Sequence, residues 1–572
     1  MARRSPNPHR CHSALAYESM IVFDWIPPIR LAGLSFASPS FLISCAPLVV
    51  LCCLALSKRW ARFTDAPSVF ALVYGMPFLI LTFQDSHGDS IQMMDQIRAR
   101  YYMSEPASTW VHYWLFYFLH EPFNVGAKFV IGLSSRVAGF VYLWAVASVS
   151  HCLFPDLSAS RRLVYRLMFF TAGWTLLFYG YVENTPLAVP AEQIWVLACL
   201  VFLRTPSYPK LFKCAAALAL ATAFHGRAAF LAPALILLCL IPSGTLTVRI
   251  KRAVFAGVVY AGLLALMVAY IVLIDFRYIV GQVVGNALGG GNGQMLVALD
   301  AVLRQEHWQP LVSELFIAGG VLVPCAFLLV PRALFRRVAI LLWALGYLVA
   351  DLAFVFLWEF DYGPFSDWDL IFSGAGPLLL LAGLVVTRSR VPIFLILPFL
   401  LASGVLSMAF ANILNGGPLT LNLVPHADGP VASSVCNHAG LRRTLFSDEQ
   451  LTNPIGPSES DLPFHRYMPA YGERITGVFE GYIKIPAKGR YRFHLIGQGS
   501  LRFRVAQQTL YERWTGLEWQ VTTEREMRFS EPGWFPIRLD FSSMAPEIGI
   551  ELRIESAEQP RRPVTLDDLC YE

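Results

Sequence analysis

Three short segments of the chain set carboxylates beside long apolar runs. The first reads Gln84-Asp85-Ser86-His87-Gly88-Asp89-Ser90, with Asp95 a little further on. The second is Tyr179-Gly180-Tyr181-Val182-Glu183-Asn184-Thr185-Pro186, and the third runs from Trp358-Glu359-Phe360-Asp361 to Asp367-Trp368-Asp369. An ionised carboxylate within hydrogen-bond reach of a hydroxyl can act as a general base. If that hydroxyl attacks an anomeric carbon opposite the leaving group, configuration inverts, much as one carboxylate activates water in inverting glycosidases. A leaving phosphate needs cations or backbone N–H groups around it. The stretch Phe224-His225-Gly226-Arg227 offers two candidates for that contact, His225 and Arg227. Each feature also has an ordinary reading: solvated loop acids, an interfacial aromatic belt, and an arginine snorkelling beside an apolar run.

The elements that must position these residues are apolar helices. Of 572 residues, 55% are hydrophobic and 15% charged, well below the ~25% charge of soluble domains. Runs of about 20 apolar residues, the length that crosses a bilayer, recur from position 37 to 412 and then stop. Hydropathy predicts twelve spans, at 37–57, 66–83, 134–154, 164–181, 187–203, 211–225, 228–242, 253–275, 311–331, 338–358, 368–387 and 391–412. The sixth and seventh are short and read as a bent or re-entrant pair. Basic clusters fall on alternate loops: Lys58, Arg59 and Arg62; Arg161, Arg162 and Arg166; Arg204, Lys210 and Lys213; Arg249, Lys251 and Arg252; Arg332, Arg336 and Arg337; Arg388 and Arg390. The intervening loops are longer and far poorer in Lys and Arg, so the positive-inside rule puts the basic set in the cytoplasm. All three acidic segments then lie on the outer side, next to helix ends. Parity also puts the N-terminus outside, against the preference of Arg3, Arg4 and Arg10. Either the first span is not a full crossing or the natural start is further in, at Met20. Pro27, Pro28 and Arg30 interrupt what would have to be the apolar core of a signal peptide.

Other features are less pointed. Gly289-Gly290-Gly291-Asn292-Gly293 could cradle a phosphate but lacks the Lys-Ser/Thr ending of a P-loop, and a hinge explains it as well. Trp110 to Leu119 is aromatic and too short to span, and it reads as an interfacial helix in the outer leaflet. Glu192 and Asp351 sit deep in predicted spans, where they could form a proton or ion path or simply bond between helices. The net charge of +5 gives no nucleic-acid signature. Cys436 and Cys570 are the cysteines of the C-terminal part, near the two ends of one domain, which suggests a disulfide in an oxidising compartment.

Taken with the many spans, Gly88-Asp89, the Gly180-Tyr181-Val182-Glu183-Asn184 turn and Asp367-Trp368-Asp369-Leu370 resemble motifs of uncharacterised bacterial members of the GT-C superfamily of integral membrane glycosyltransferases. The resemblance covers roughly residues 66–412. It implies a sugar donor linked to polyprenyl phosphate, with Asp89 as catalytic base and Asp85 as the second choice. It implies for Glu183 a role in positioning substrate or metal. His87, His225, Arg227, Asp367 and Asp369 complete the expected substrate-binding set. A span preceding the acidic loop departs from the simplest pattern of that family. Two or three carboxylates could hold a divalent cation or work without one, so metal dependence stays open.

After position 412 the composition turns charged and Pro-rich, and from Val478 the apolar period is two. Strands are expected at 478–486, 489–495, 500–505, 526–529, 535–541 and 548–554, an all-β sandwich or barrel. Glu480-Gly481-Tyr482, Gly489-Arg490-Tyr491-Arg492-Phe493, Gly499-Ser500-Leu501-Arg502-Phe503, Trp514 and Phe535-Pro536-Ile537-Arg538 resemble the protective-antigen-type carbohydrate-associated domain over 465–556. Lectin members of that family bind calcium through an acidic pair, where this chain has Ile496-Gly497-Gln498-Gly499; a scaffold or glycan-docking role is the expectation. Trp514, Trp519 and Trp534 could stack on sugar rings.

The expected architecture is therefore a polytopic α-helical membrane protein of 11–12 spans with a C-terminal β domain. Its parts are an N-terminal segment 1–36, a helical domain 37–412, a connection 413–464 and an extracytoplasmic β domain 465–572. The leading expectation is an inverting transferase in a bacterial inner or plasma membrane. It would move a sugar from a polyprenyl-phosphate carrier to a glycan, lipid or protein acceptor. The competing one is a transporter or flippase of lipid-linked sugars, which would need an acidic path through the midplane.

Overall fold

A computed structural model describes residues 39–82, 93, 97, 106–123, 125–274, 297, 302, 304–327, 337–358, 368–389, 391–414, 420–421, 426–427, 436, 438–446, 459–461, 475–498, 500–506, 508–513, 520–543, 550–556, 559 and 561–571. They form two compact units, one within Ala37–Asn422 and one within Leu423–Glu572.

The first unit is helical. In chain order its elements are α1 (Pro39–Leu54), α2 (Lys58–Phe63), α3 (Pro67–Ile80), α4 (Pro106–Phe123), α5 (Ala127–Leu153), α6 (Ala159–Thr171), α7 (Thr185–Arg204), α8 (Tyr208–Phe224) and α9 (Ala232–Leu240). They continue as α10 (Leu246–Ile274), α11 (Gln305–Gly319), α12 (Leu322–Phe327), α13 (Val338–Leu357), α14 (Trp368–Ser373), α15 (Ala375–Arg388) and α16 (Ile393–Leu414), with two short strands, β1 (Leu81–Thr82) and β2 (Thr420–Leu421). Among the described residues, six stretches are long and apolar enough to cross a membrane by length and composition: Ala127–Leu153, Thr185–Arg204, Leu246–Met267, Val338–Leu357, Asp369–Arg388 and Ile393–Ala411. Shorter apolar helical stretches lie at Cys45–Leu54, Pro67–Ile80 and Gly226–Leu240.

Two expected spans are broken, and that at 311–331 falls into α11 and α12 about Gly320. The run at 164–181 is not one helix: α6 stops at Thr171 and a 3-10 segment, Gly173–Phe178, follows. Gly173 packs so closely that a Cβ there would lie 2.8 Å from the Ile317 carbonyl oxygen. The bent pair expected at 211–242 is present as α8, a 3-10 turn at Gly226–Leu231 and α9. Helix α5 packs between α3 and α7, and α8 lies on both α7 and α10.

One end of this unit gathers the basic loops. Asp65 receives hydrogen bonds from Arg162 Nε at 3.0 Å and Nη2 at 2.6 Å and from Arg166 Nη2 at 3.2 Å. Asp156 pairs with Arg388 at 3.4 Å and Arg337 at 3.7 Å. Arg337 also donates to the Leu153 carbonyl, and Arg204 to that of Cys152. Residues that the charge pattern assigns to one side therefore meet at one end of the bundle.

The second unit is a sandwich of two sheets. One has the order β10 (Gln508–Arg513), β9 (Ser500–Val505), β12 (Gly533–Ser543), β7 (Ile475–Ile485), β15 (Leu569–Tyr571), β4 (His438–Ala439). Strand β5 (Leu441–Phe446) also joins β7 and carries β6 (Glu459–Asp461). The other sheet is β14 (Arg562–Pro563), β13 (Glu551–Ser556), β8 (Gly489–Gln498), β11 (Gln520–Phe529), β3 (His426–Ala427). The two-residue alternation does the sorting. Along β12, Phe535, Ile537, Leu539 and Phe541 enter the core with Phe479, Ile483, Phe493 and Phe503, and Pro536, Arg538 and Asp540 take the opposite face.

The expected connection 413–464 contributes strands to the sandwich. Strands β3 to β6 come from the stretch read as a connection, and β5 pairs with β7 from Arg442↔Glu480 to Phe446↔Thr476. The expected disulfide Cys436–Cys570 is formed, with Cα atoms 5.3 Å apart. These segments are short and lack the alternation that makes the main strands legible; β3, β4 and β6 lie at sheet edges, and β5 runs between β6 and β7.

Candidate functional site

At the end of the helical unit opposite the basic loops, the roots of the acidic segments are tied together. Helix α3 ends in the two-residue strand Leu81–Thr82, paired with Leu421–Thr420. Arg136 of α5 reaches this point: its Nε donates to the Phe78 carbonyl at 3.0 Å and its Nη2 to Thr82 Oγ1 at 2.9 Å. The segment carrying Asp85, His87 and Asp89 starts at the next residue; these three lie outside the described residues, as do Asp95 and Asp367. Where the chain re-emerges, Met93 and Ile97 are buried against Ala127, Ile131 and Val182. Thr82 and Met93 thus bracket the first acidic segment.

The same arginine touches the second segment. Gly180 has φ +86°, and a Cβ there would sit 2.6 Å from Arg136 Nη2. Only glycine takes that backbone conformation without strain while leaving room for the guanidinium. The turn it makes carries Tyr181, Val182 and half-buried Glu183 into the start of α7. Pro186 stands in the first turn of α7, where its missing N–H costs nothing.

The third segment joins through α14. Thr185 Oγ1 donates to Asp369 Oδ2 at 2.6 Å, and both residues are buried. His225 stands at the C-terminal end of α8 and opens the 3-10 turn Gly226–Leu231. Its Nδ1 accepts from the Arg227 backbone N–H at 3.3 Å, which closes the 3-10 turn. Glu183, His225 and Asp369 are therefore carried to one end of the unit by α7, α8 and α14.

Arg227 has partners other than the expected phosphate. It is buried, donating from Nη1 to Asp351 Oδ1 at 3.0 Å and from Nη2 to Glu192 Oε1. The two deep acids are thus bridged by one guanidinium rather than lining an open path. On the same two helices as the acids, Trp195 of α7 and Trp343 and Tyr347 of α13 pack on one another with ring centroids 5.3–5.9 Å apart.

The aromatic stretch around Trp110 is helix α4, docked at the same end. Ser108 Oγ donates to the Phe224 carbonyl at 2.6 Å, and buried His112 bonds through Nε2 with Ser134 Oγ at 2.7 Å. Phe118 and Phe123 stay largely exposed. Sequence reasoning missed Arg136 and His112. The signal for Arg136 was an arginine well inside an apolar run, where a charge needs partners. Among the described residues no group of three or more His, Cys, Asp or Glu is placed to hold a metal ion.

No protein-family model matches the chain, and no curated protein matches it. Among solved structures, the chain is similar to ArnT from Cupriavidus metallidurans bound to undecaprenyl phosphate, at 13% identity and TM-score 0.41, over 58% of this chain and 61% of that one. It is also similar to the epithelial adhesin 9 A domain from Candida glabrata in complex with Galb1-3GlcNAc, at 14% identity and TM-score 0.22, over 26% of this chain and 96% of the adhesin. A third similarity is to an anti-sigma factor domain-containing protein from Clostridium clariflavum, at 18% identity and TM-score 0.21, over 23% of this chain. The chain covers 47% of that protein's length and, as noted, 61% of ArnT's.

Proposed function

We propose that the protein is a membrane glycosyltransferase that moves a sugar from a polyprenyl-phosphate carrier to an acceptor hydroxyl on the extracytoplasmic side. The observation that carries this reading is the linkage, at one end of the bundle, of the helix ends that adjoin the three acidic segments. Arg136 joins the root of the first to Gly180 of the second, and the Thr185–Asp369 hydrogen bond joins the second to the third.

In this reading Asp89 takes the proton of the acceptor hydroxyl, with Asp85 the second choice. The acceptor oxygen forms a bond to the anomeric carbon as the bond to the phosphate oxygen breaks, and polyprenyl phosphate leaves with the electron pair. Attack opposite the leaving group inverts configuration. Glu183, with His87, His225, Asp367 and Asp369, orients donor and acceptor; a divalent cation, if one takes part, would sit among these carboxylates. Arg227 acts by position, holding the His225 turn through Glu192 and Asp351. Helix α4, with its exposed aromatics, is suited to lie in the outer leaflet and admit a lipid-linked donor from the side. The positive-inside pattern assigns the basic end to the cytoplasm and the acidic end, with the β unit, to the outside.

The contact of Arg227 with both deep acids also weighs against a transporter path through the midplane. The test is incubation of the purified protein in lipid nanodiscs with a panel of radiolabelled polyprenyl-phosphate sugars. Donor consumption with release of polyprenyl phosphate supports the transferase. No consumption of any donor, together with carrier movement across vesicles, supports the transporter and overturns it.

A further inference from the structure

The face of the larger β sheet turned away from the core carries a cavity of about 480 Å³, bounded by Arg442, Glu480, Tyr482, Arg504, Arg538 and Tyr571. We propose that this cavity binds an acidic sugar, a carboxylate-bearing residue of a glycan. The site goes beyond the transfer chemistry and does not depend on it, because every residue belongs to the β unit.

Strand register builds the site. Arg538 stands opposite Glu480 on β7 and opposite Arg504 on β9, Pro536 is opposite Tyr482, and Arg442 of β5 is opposite Glu480. The alternation that sends Phe535, Ile537 and Leu539 into the core therefore collects arginines on the other face. Beneath them lies Asp540, fully buried, which accepts from Arg538 Nε at 2.6 Å and from Arg502 Nη1 at 3.5 Å and approaches Arg504 at 4.0 Å. Glu480 accepts from Arg442 at 3.1 Å and from Arg538 at 3.4 Å. Glu512 of β10 stands opposite Arg502, so the cavity's own arginines, Arg442, Arg504 and Arg538, share Glu480 and Asp540 among the described side chains and leave a surplus of positive charge.

Glu480 and Asp540 engage Arg442, Arg504 and Arg538 through one or two N–H groups each, and a guanidinium carries five in a fixed fork. Arginine forks match carboxylates in bidentate geometry. The cavity falls in the range of about 300–1,000 Å³ typical of small-ligand sites, which suits one or two sugar residues. A flat membrane surface would not need a concavity, and Tyr482 and Tyr571 supply ring faces and hydroxyls of the kind that contact sugars. Tyr571 is itself braced by His438, with ring centroids 4.9 Å apart.

The experiment uses the full chain in nanodiscs of zwitterionic lipid, with binding of trigalacturonate and of neutral trigalactose measured by calorimetry. The expected result is binding of trigalacturonate alone, weakened at least tenfold in an Arg442→Gln/Arg504→Gln variant and by raised salt. If the double variant does not fold, single Arg504→Gln, whose guanidinium only approaches Asp540, gives the same reading. Equal binding of trigalactose, or trigalacturonate binding unchanged by the substitutions, would overturn the proposal. So would recruitment by phosphatidylglycerol vesicles with no binding of trigalacturonate, which would make the face a lipid surface. Sugar transfer in the nanodisc assay is read separately, so either proposal can fail alone.

Discussion

Thr185 donates its hydroxyl proton to Asp369 at 2.6 Å across 184 residues of sequence, and this bond joins the start of one apolar helix to the start of another. It ties the turn carrying Glu183 to the aromatic-acidic segment that precedes α14. Thr185→Val leaves the Asp369 carboxylate without this buried donor, a loss of about 1–3 kcal/mol. The expected outcome is a lower melting temperature in detergent and at least a tenfold fall in transfer. Thr185→Ser, which keeps the hydroxyl, should restore most of both.

Gly180 offers a second test. Alanine there meets both an unfavourable φ of +86° and the Arg136 guanidinium. Gly180→Ala should destabilise the helical unit by about 1–3 kcal/mol and displace Glu183, lowering activity further than the change in melting temperature accounts for. Gly226 has open space around its Cβ position, so Gly226→Ala should leave melting almost unchanged and serves as the control.

The Arg227 triad predicts a non-additive series. Arg227→Leu leaves Glu192 and Asp351 buried together without their cation, and breaking such a group costs about 3–5 kcal/mol. Replacing all three with apolar residues of similar size should recover most of that loss in a thermal melt. Recovery of folding without transport or transfer defects beyond those of His225 variants would fit a positioning role.

Stability of the β unit should fall in acid through a known pair. Burial alone would raise the Asp568 carboxyl, but the Arg562 fork at 2.5 and 2.7 Å and two bonds from Thr565 outweigh it and hold the group below the ordinary carboxylate range. A carboxylate depressed on folding contributes stability above its unfolded pKa and loses it as pH falls through the lower, folded value. Asp568→Asn should therefore lower the β unit's melting temperature at neutral pH and flatten its decline below pH ~4. Parallel curves for wild type and variant would contradict this.

Much of this arrangement was legible in the sequence. Apolar run length gave most helices, the alternation from Val478 onward gave the main strands, and charge asymmetry of the loops matched the end where Asp65 and Asp156 collect arginines. The hidden parts depend on contacts distant in sequence. Nothing local to Arg136 says that it will brace Phe78, Thr82 and Gly180 at once. The break at Ala172–Gly173 falls inside an apolar run, where Gly173 packs closely against Ile317 and Phe372, contacts distant in sequence. Arg227 looked like a free cation because its partners, Glu192 and Asp351, lie 35 residues before it and 124 after it.

In the proposed function the first acidic segment, between Thr82 and Met93 in the sequence, supplies the base for sugar transfer. The most direct measurement compares wild type, Asp89→Asn and Asp85→Asn for transfer from radiolabelled polyprenyl-phosphate sugars, with donor binding measured alongside. A general base contributes about 10²–10⁴-fold. Asp89→Asn should therefore lose at least a hundredfold in turnover while binding donor normally, with a smaller loss for Asp85→Asn. Full turnover in Asp89→Asn, or loss of donor binding with no change in turnover of bound donor, would contradict the account.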